Sequence, residues 1–389
     1  MTKAVHKRLG DLLNLKRGYD LPESQRRPGP YPVISSAGIT GYHDEYMVEG
    51  QGVITGRYGT LGEMYYVDGK YWPHNTALYV TTFKGNDPKY IYYLLTCLGR
   101  IRTSDKSAVP GVNRNELHEM EIPAISDTKQ QKKVAEILSA LDAKIDCNNR
   151  INAELEAMAK TLYDYWFVQF DFPDANGKPY KSSGGKMVYN ATLKREIPLG
   201  WEATTLASVT PISNDSLNPA DFPQKEFKHF SIPVFDATTT YRVECGDSIG
   251  SNKFTVLGTD LLVSKLNPWF SRVIYAMDEV DQICSTELVV WRCPTENLKN
   301  FLYLIATSPQ FISHCVQSAT GTSNSHKRVN PAVMMRFNLP YSAEVAEGLG
   351  GRISPIVKKL IINRQENQQL AQLRDWLLPL LMNGQVTVA

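Results

Sequence analysis

Two stretches of the chain carry the same register of apolar and polar positions. The first runs Val134, Leu138, Leu141, Ile145, Asn148, Asn152, Leu155, Ala159, Leu162, Trp166, and the second Leu349, Ile353, Ile356, Leu360, Asn363, Asn367, Leu370, Arg374, Leu377, Leu381. Every step is 3 or 4 residues, the spacing of a coiled-coil seam. The polar interruptions Asn148/Asn152 and Asn363/Asn367 fall at matching places, and asparagine on such a seam fixes register at a cost in stability. The pattern predicts two long helices made to pair, with these four asparagines as the helix-pairing register.

The first helix is predicted from Asp127, with Gln130 as its capping-box partner, to about Val168, roughly 60 Å of helix. The second carries Gly348, Gly350 and Gly351 in its first turns. Ser354-Pro355 reads as a fresh N-cap with proline at the first helical position, so the regular helix is expected from Pro355, about 40 Å long, with Pro379 kinking its last turn.

Each seam follows a mixed α/β stretch. In the first, β-rich runs at Gly52, Met64 and Ala77 alternate with glycine turns, and Asp87 caps a helix. In the second, the runs start at Asp260, Arg272 and Glu287. Asn75-Thr-Ala-Leu-Tyr-Val matches Ser285-Thr-Glu-Leu-Val-Val, Tyr90-Ile-Tyr-Tyr-Leu-Leu matches Asn300-Phe-Leu-Tyr-Leu-Ile, and Val112-Asn113 matches Val329-Asn330. This order implies internal duplication with divergence. Residues 171–190, rich in Gly, Pro, Ser and Lys, read as a linker. The expected organisation is a mixed α/β module at 1–126, a long helix at 127–170, the linker at 171–190, a second module at 191–342 and a second long helix at 343–389.

At 389 residues the chain is long enough for two or three cores. No apolar run is long enough to span a bilayer, and the first residues lack a signal-peptide pattern. Six scattered cysteines without CxxC pairs fit a reducing cytoplasm, where the chain is expected to reside. The net charge of +2 is uninformative, but its distribution is not. From Asn297 to Ala343 there is no acidic residue against Lys299, Lys327, Arg328 and Arg336, and residues 100–114 carry Arg100, Arg102, Lys106 and Arg114 against Asp105. Such local basic faces suit phosphate contact, and equally a solvated surface.

Catalytic motifs are not found. There is no Walker loop, GxGxxG or GxSxG, and the glycines of Gly56-Arg-Tyr-Gly-Thr-Leu-Gly have the wrong spacing for a dinucleotide fingerprint. Asn267-Pro-Trp-Phe partly matches the Asn-Pro-Pro-Phe/Tyr loop of adenine methyltransferases, but a turn after a strand is favoured. The seven histidines lack metal-ligand spacing, so no metal site is expected. What both modules do carry is loops of hydroxyl, amide, basic and aromatic residues, the types that bond phosphates and base edges. The candidate DNA contacts are Ser35, Ser36, Tyr42, Arg57, Tyr58, Lys106 and Arg114 in the first module. In the second they are Lys265, Asn267, Trp269, Arg272, Thr320, Ser323, Asn324, His326, Lys327 and Arg328.

A set of motifs over nearly the whole length resembles the DNA-specificity subunits of type I restriction-modification systems. They are Ile34-Ser-Ser-Ala-Gly-Ile-Thr-Gly-Tyr-His, Thr55-Gly-Arg-Tyr-Gly-Thr-Leu-Gly, Trp72-Pro-His-Asn-Thr, Ala108-Val-Pro-Gly-Val-Asn-Arg, Phe170-Asp-Phe-Pro, Gly177-Lys-Pro-Tyr-Lys, Ile197-Pro-Leu-Gly-Trp and Leu373-Arg-Asp-Trp-Leu-Leu-Pro. The resemblance implies two target-recognition domains joined by two long antiparallel coiled-coil helices in a pseudo-twofold repeat. Each domain would read one half of a split duplex site, the helices acting as a ruler. It implies no catalysis and no cofactor in this chain, and docking of two methyltransferase subunits that bind S-adenosylmethionine and methylate adenine. A restriction/translocase subunit using ATP and Mg would complete the complex. The competing readings are a methyltransferase, or a type IIB/IIG-like enzyme component, with fused recognition domains, and a coiled-coil scaffold that binds no DNA.

Overall fold

The structure, a computed structural model, describes residues 4–56, 63–102, 114–321 and 326–388, with backbone alone at 99–102. The chain divides into two compact units: Met1–Ile145 with Gln369–Ala389, and Asp146–Gln368.

The first unit contains β1 (Val5–Arg8), α1 (Leu9–Leu12), β2 (Asn14–Arg17), β3 (Tyr31–Ser35), β4 (Gly38–His43), β5 (Val48–Gly56), β6 (Met64–Pro73), β7 (Ala77–Thr82), α2 (Pro88–Arg102), α3 (Arg114–Glu119), β8 (Glu121–Ala124) and the start of α4 (Thr128–Tyr163). β1 pairs with β8, and six strands form a sheet in the order β2-β7-β5-β6-β3-β4, antiparallel except where β3 runs parallel to β6. Gly50 and Gly69 face each other in the β5–β6 ladder at φ +109° and +118°, a backbone that glycine adopts without strain. Asp87 caps α2 by accepting from Tyr90 N at 2.9 Å. The core joins Leu9, Leu15, Val53, Val80, Ile91 and Leu94 to Val134 and Leu138 of α4 and to Leu378 and Leu381 of the last helix, so the apolar faces of both seams are buried here.

At the start of α4 the ordering residue is Gln131 rather than Gln130. Its side chain has no solvent exposure, donates to Asn86 Oδ1 and Ile125 O, both at 2.7 Å, and accepts from Asp87 N at 2.9 Å. Asp127 caps the helix through Lys129 N. One side chain thus ties the ends of two helices together.

The second unit contains the rest of α4, which closes in a π-type turn at Asp164–Val168. There follow β9 (Met187–Asn190), β10 (Arg195–Pro198), β11 (Glu202–Thr205), α5 (Leu206–Val209), β12 (Ile212–Ser213), β13 (Ser216–Leu217), β14 (Glu226–Phe230), α6 (Ile232–Thr238), β15 (Arg242–Cys245), β16 (Lys253–Thr255) and β17 (Asp260–Ser264). The unit continues with β18 (Val273–Tyr275), β19 (Gln282–Cys284), β20 (Leu288–Arg292), α7 (Glu296–Thr307), α8 (Pro309–Gln317), α9 (Pro331–Met334), β21 (Asn338–Tyr341) and α10 (Ala343–Met382), whose residues from Gln369 on belong to the first unit. β11 pairs with β21, and the two larger sheets have the orders β12-β20-β17-β18 and β13-β16-β19-β14-β15. The pairing scheme of the first unit recurs: β12-β20-β17-β18 follows β2-β7-β5-β6, and β14 lies parallel to β19 as β3 lies parallel to β6. Where the first unit has one long strand, β6, the second has β18 and β19 separated by a break. The core runs from Phe167, Leu261 and Trp291 to Phe301, Leu349, Ile353 and Leu360.

Two expectations are corrected. Residues 171–190 are not a loose linker. Phe172 is buried and stacks on Tyr180 and Trp201 at centroid distances of 4.8 and 5.1 Å, and the buried Asp171 carboxylate accepts from Ser182 N and Oγ at 2.7 and 2.5 Å. Glycine and proline here serve turns around an aromatic cluster. The second long helix does not wait for Pro355; α10 begins at Ala343 and passes Gly348, Gly350, Gly351 and Pro355 without a break, and its last turns pass Pro379 to end at Met382. Packing overrides propensity. A side chain at Gly350 would place its Cβ 1.9 Å from the Asn297 carbonyl oxygen, and Asn300 Nδ2 donates to Gly350 O at 3.1 Å. The glycine is what lets α10 approach the start of α7 this closely.

Candidate nucleic-acid interface

In the second unit the two candidate loops, more than fifty residues apart in sequence, form one surface. Leu266 and Thr320 both make β-bridges with Arg328. Asn267 N donates to Lys327 O at 2.7 Å while Asn267 Oδ1 accepts from Lys327 N at 3.1 Å. Lys265 N donates to Glu287 O, and Lys265 O accepts from Val329 N. Lys265, Asn267, Thr320, His326, Lys327 and Arg328 therefore share a face, on which Thr320, His326 and Arg328 are exposed.

The local backbone explains how aromatics reach this face. Asn267 and Ser271 adopt left-handed φ of +48° and +47° at either end of the turn Pro268–Phe270. Asparagine tolerates that conformation because its side chain bonds locally. The turn leaves Trp269 39% and Phe270 58% exposed, with ring centroids 5.9 Å apart. Exposed aromatics beside lysines match the chemistry of base stacking and phosphate contact. Sequence reading found Trp269 but not Phe270, although the two are adjacent.

The four cations Arg272, Arg328, Lys265 and Lys327 are not equivalent. Arg272 donates from Nε and Nη2 to Asp236 Oδ1 and Oδ2 at 2.6 and 2.8 Å, lies 4.5 Å over the Phe270 ring, and turns Nη1 toward Leu266 O at 3.4 Å. Its side chain is 11% exposed. Arg272 therefore holds the loop and is removed from the contact set. Arg328 donates from Nε and Nη2 to Glu287 Oε2 and Oε1 at 2.9 and 3.3 Å, yet its side chain stays 46% exposed. The Glu287 carboxylate raises the guanidinium pKa above its ordinary value. Lys265 and Lys327 have no ion pair with a described residue.

Lys299, counted above in a local basic face, is instead a buried cation. Lys299, 1% exposed, donates Nζ to Gly258 O at 2.7 Å and to Ala276 O, and lies 3.4 Å over the Tyr275 ring. Burial lowers its pKa to about 7 against opposing attraction from Cys293 and Asp260. Among the described residues, no group of three or more His, Cys, Asp or Glu could hold a metal ion.

In the first unit, Ser35 is buried and shapes the β3–β4 turn. Its Oγ accepts from Ala37 N at 3.1 Å and donates to Gly38 O at 3.4 Å. Ser36 is half-buried, and its N–H meets Thr76 Oγ1, which also bonds His74 Nδ1 at 3.0 Å. Tyr42 is 54% exposed on β4. Arg114 is exposed at the first position of α3. Burial, then the positive charge of Arg114, lowers the pKa of His118, whose Nε2 accepts from Leu15 N at 3.0 Å. Arg57, Tyr58 and Lys106 lie outside the described residues, as do Ser323 and Asn324 of the second unit.

The asparagine register is directly visible within the second unit. Asn148 Nδ2 donates to Asn367 Oδ1 at 2.9 Å and to Glu366 Oε2 at 2.8 Å, and Asn363 Nδ2 donates to Asn152 Oδ1 at 2.9 Å. Asn367 Nδ2 reaches Asn149 Oδ1 at 2.8 Å, and Arg364 pairs with Glu156 at 2.8 Å. α4 and α10 are antiparallel here, because rising numbers on one meet falling numbers on the other.

The second unit thus presents a basic, amide-rich and aromatic loop face, with its core built on a pair of long helices. Comparisons with known proteins point to DNA-specificity subunits of type I restriction-modification systems. Residues 1–157 match the type I restriction modification DNA specificity domain. The chain is 26% identical over 316 residues to the type I restriction enzyme MjaIX specificity subunit of Methanocaldococcus jannaschii, covering 77% of this chain and 69% of that one. It is 22% identical over 324 residues to the HindI specificity subunit of Haemophilus influenzae, covering 67% and 68%. The fold is similar to the crystal structure of the type I restriction-modification S subunit from M. genitalium, with a TM-score of 0.62, 15% identity, and 97% and 96% of the two chains covered. The chain is thus similar to type I DNA-specificity subunits, with the specificity domain itself matched over residues 1–157. No helix among the described residues is long and apolar enough to cross a membrane.

Proposed function

We propose that this chain reads a split duplex DNA site, one part through each unit, and directs partner subunits to it without catalysis of its own. The observation that carries the reading is the single face of the second unit on which Lys265, Asn267, Trp269, Lys327 and Arg328 converge from two separate loops. Lysines without carboxylate partners among the described residues suit phosphates, whereas amides, aromatics and an exposed guanidinium suit base edges. The paired helices α4 and α10 fit the role of spacer, their asparagine layers opposing slippage.

By family, the partners are two methyltransferase subunits that hold S-adenosylmethionine and methylate adenine, and a restriction/translocase subunit that uses ATP and Mg, all in the cytoplasm. Filter binding of the full chain to duplex DNA, alone and with its methyltransferase partner, tests the reading. Salt-sensitive binding is expected; no affinity for DNA in either state would favour a protein scaffold. Titration of the isolated chain with S-adenosylmethionine is expected to give no heat, and saturable binding would restore an enzyme.

A further inference from the structure

We infer that Arg328 reads a guanine in the part of the DNA site bound by the second unit, and that Glu287 is the positioning residue that sets this preference. The inference rests on the DNA-recognition reading above and adds which side chain reads which base. A guanidinium has five N–H donors in a rigid fork. Glu287 engages one on Nε and one on Nη2, at 2.9 and 3.3 Å. The end of the fork, made of Nη1 and the second hydrogen of Nη2, is left for another acceptor pair.

Both members of the pair are fixed by their backbones. Arg328 N donates to Thr320 O at 2.8 Å and Arg328 O accepts from Thr320 N at 2.9 Å. Glu287 O accepts from Lys265 N at 3.1 Å, and Glu287 N donates to Ser285 Oγ at 3.2 Å. A side chain held at its root and along one edge presents the other edge in a defined direction, which is what recognition of a single base requires.

The charge pattern separates this arginine from its neighbours. A carboxylate beside the guanidinium neutralises the pair and repels phosphate, so the pair is better suited to a base edge than to the backbone. Guanine offers two acceptors, O6 and N7, side by side in the major groove, whereas adenine places its N6 amino donor where O6 would be. A fork carrying only donors therefore selects guanine over adenine. Arg272 cannot do the same, since both edges of its fork are engaged by Asp236 and Leu266 O.

The test is selection of randomised duplex DNA by the full chain with its methyltransferase partner, for wild type, Arg328→Lys, Glu287→Gln and Lys327→Ala. Wild type should enrich a motif containing a guanine that Arg328→Lys no longer distinguishes, a loss of about tenfold to a hundredfold in discrimination. Glu287→Gln should weaken preference at that same position and leave the rest of the motif intact. Lys327→Ala should lower affinity with the motif unchanged. A motif whose guanines are all retained in both Arg328→Lys and Glu287→Gln would overturn the inference while leaving DNA recognition standing. No enriched motif for wild type would instead overturn the underlying reading. If Arg328→Lys fails to fold, Glu287→Gln decides alone.

Discussion

Asn363 donates its side-chain amide to Asn152 Oδ1 at 2.9 Å from a position with no solvent exposure, and its own Oδ1 meets no partner. This pair is a polar layer inside an apolar seam, half-satisfied and stabilising mainly by comparison with other registers. Asn152→Leu is expected to destabilise the protein by about 1–3 kcal/mol, because it strands the Asn363 donors. The double variant Asn152→Leu/Asn363→Leu should recover most of that loss. Urea unfolding of Asn152→Leu, Asn363→Leu and the double variant in a double-mutant cycle checks this, and additive losses would contradict it.

The glycines at the start of α10 make opposite predictions. Gly350→Ala pushes a Cβ against the Asn297 carbonyl, a backbone atom that cannot rotate away, and should cost about 1–3 kcal/mol. At Gly348 the nearest atom to an added Cβ is Trp166 Cζ3 at 3.7 Å, an ordinary contact. Gly348→Ala should therefore stabilise by up to about 1 kcal/mol through helix propensity. Thermal melts of the two variants should move in opposite directions.

The seams, the strands β5, β6, β7, β17, β18 and β20 and the asparagine layers were legible because period, spacing and turn chemistry are local properties. Asp87, Val134, Leu138, Asn148 and Asn363 could be placed from sequence alone. The start of α10 was not, since three glycines and a proline read as a break until the Asn297 carbonyl supplies a reason for Gly350. The same limit applies to the site. Composition marked Arg272 and Arg328 as equal candidates, and only their partners Asp236 and Glu287, distant in sequence, separate a loop clamp from an exposed fork. Phe270 and Gln131 were missed for the same reason: what each does is decided by residues that come together only in the fold.

Lys299 predicts an unusual alkaline dependence. Its folded pKa is about 7, lowered by burial, while an unfolded lysine titrates near ~10.4. Between these values the unfolded chain binds more protons than the folded one, so stability rises with pH. Urea unfolding from about pH 7 to pH 9, below the range of free tyrosines, should show a gain of about 1 kcal/mol per pH unit from this group. Lys299→Met should flatten that slope, and an unchanged slope would assign it elsewhere.

Lys327 carries its charge on the proposed interface without a carboxylate partner among the described residues. Lys327→Ala should weaken binding to all duplexes to a similar degree and reduce the slope of log affinity against log salt by about 1. Fluorescence anisotropy at several salt concentrations measures both. An unaltered slope would take Lys327 off the interface.

On the proposed function, the two units of one chain read two parts of one DNA site. Methylome sequencing of a host carrying this chain with its methyltransferase partner tests it most directly. The expected result is a single split motif, two short specified sequences separated by a fixed unspecified gap, with methylated adenine in both parts. A contiguous motif, or no sequence-specific adenine methylation, would contradict the account.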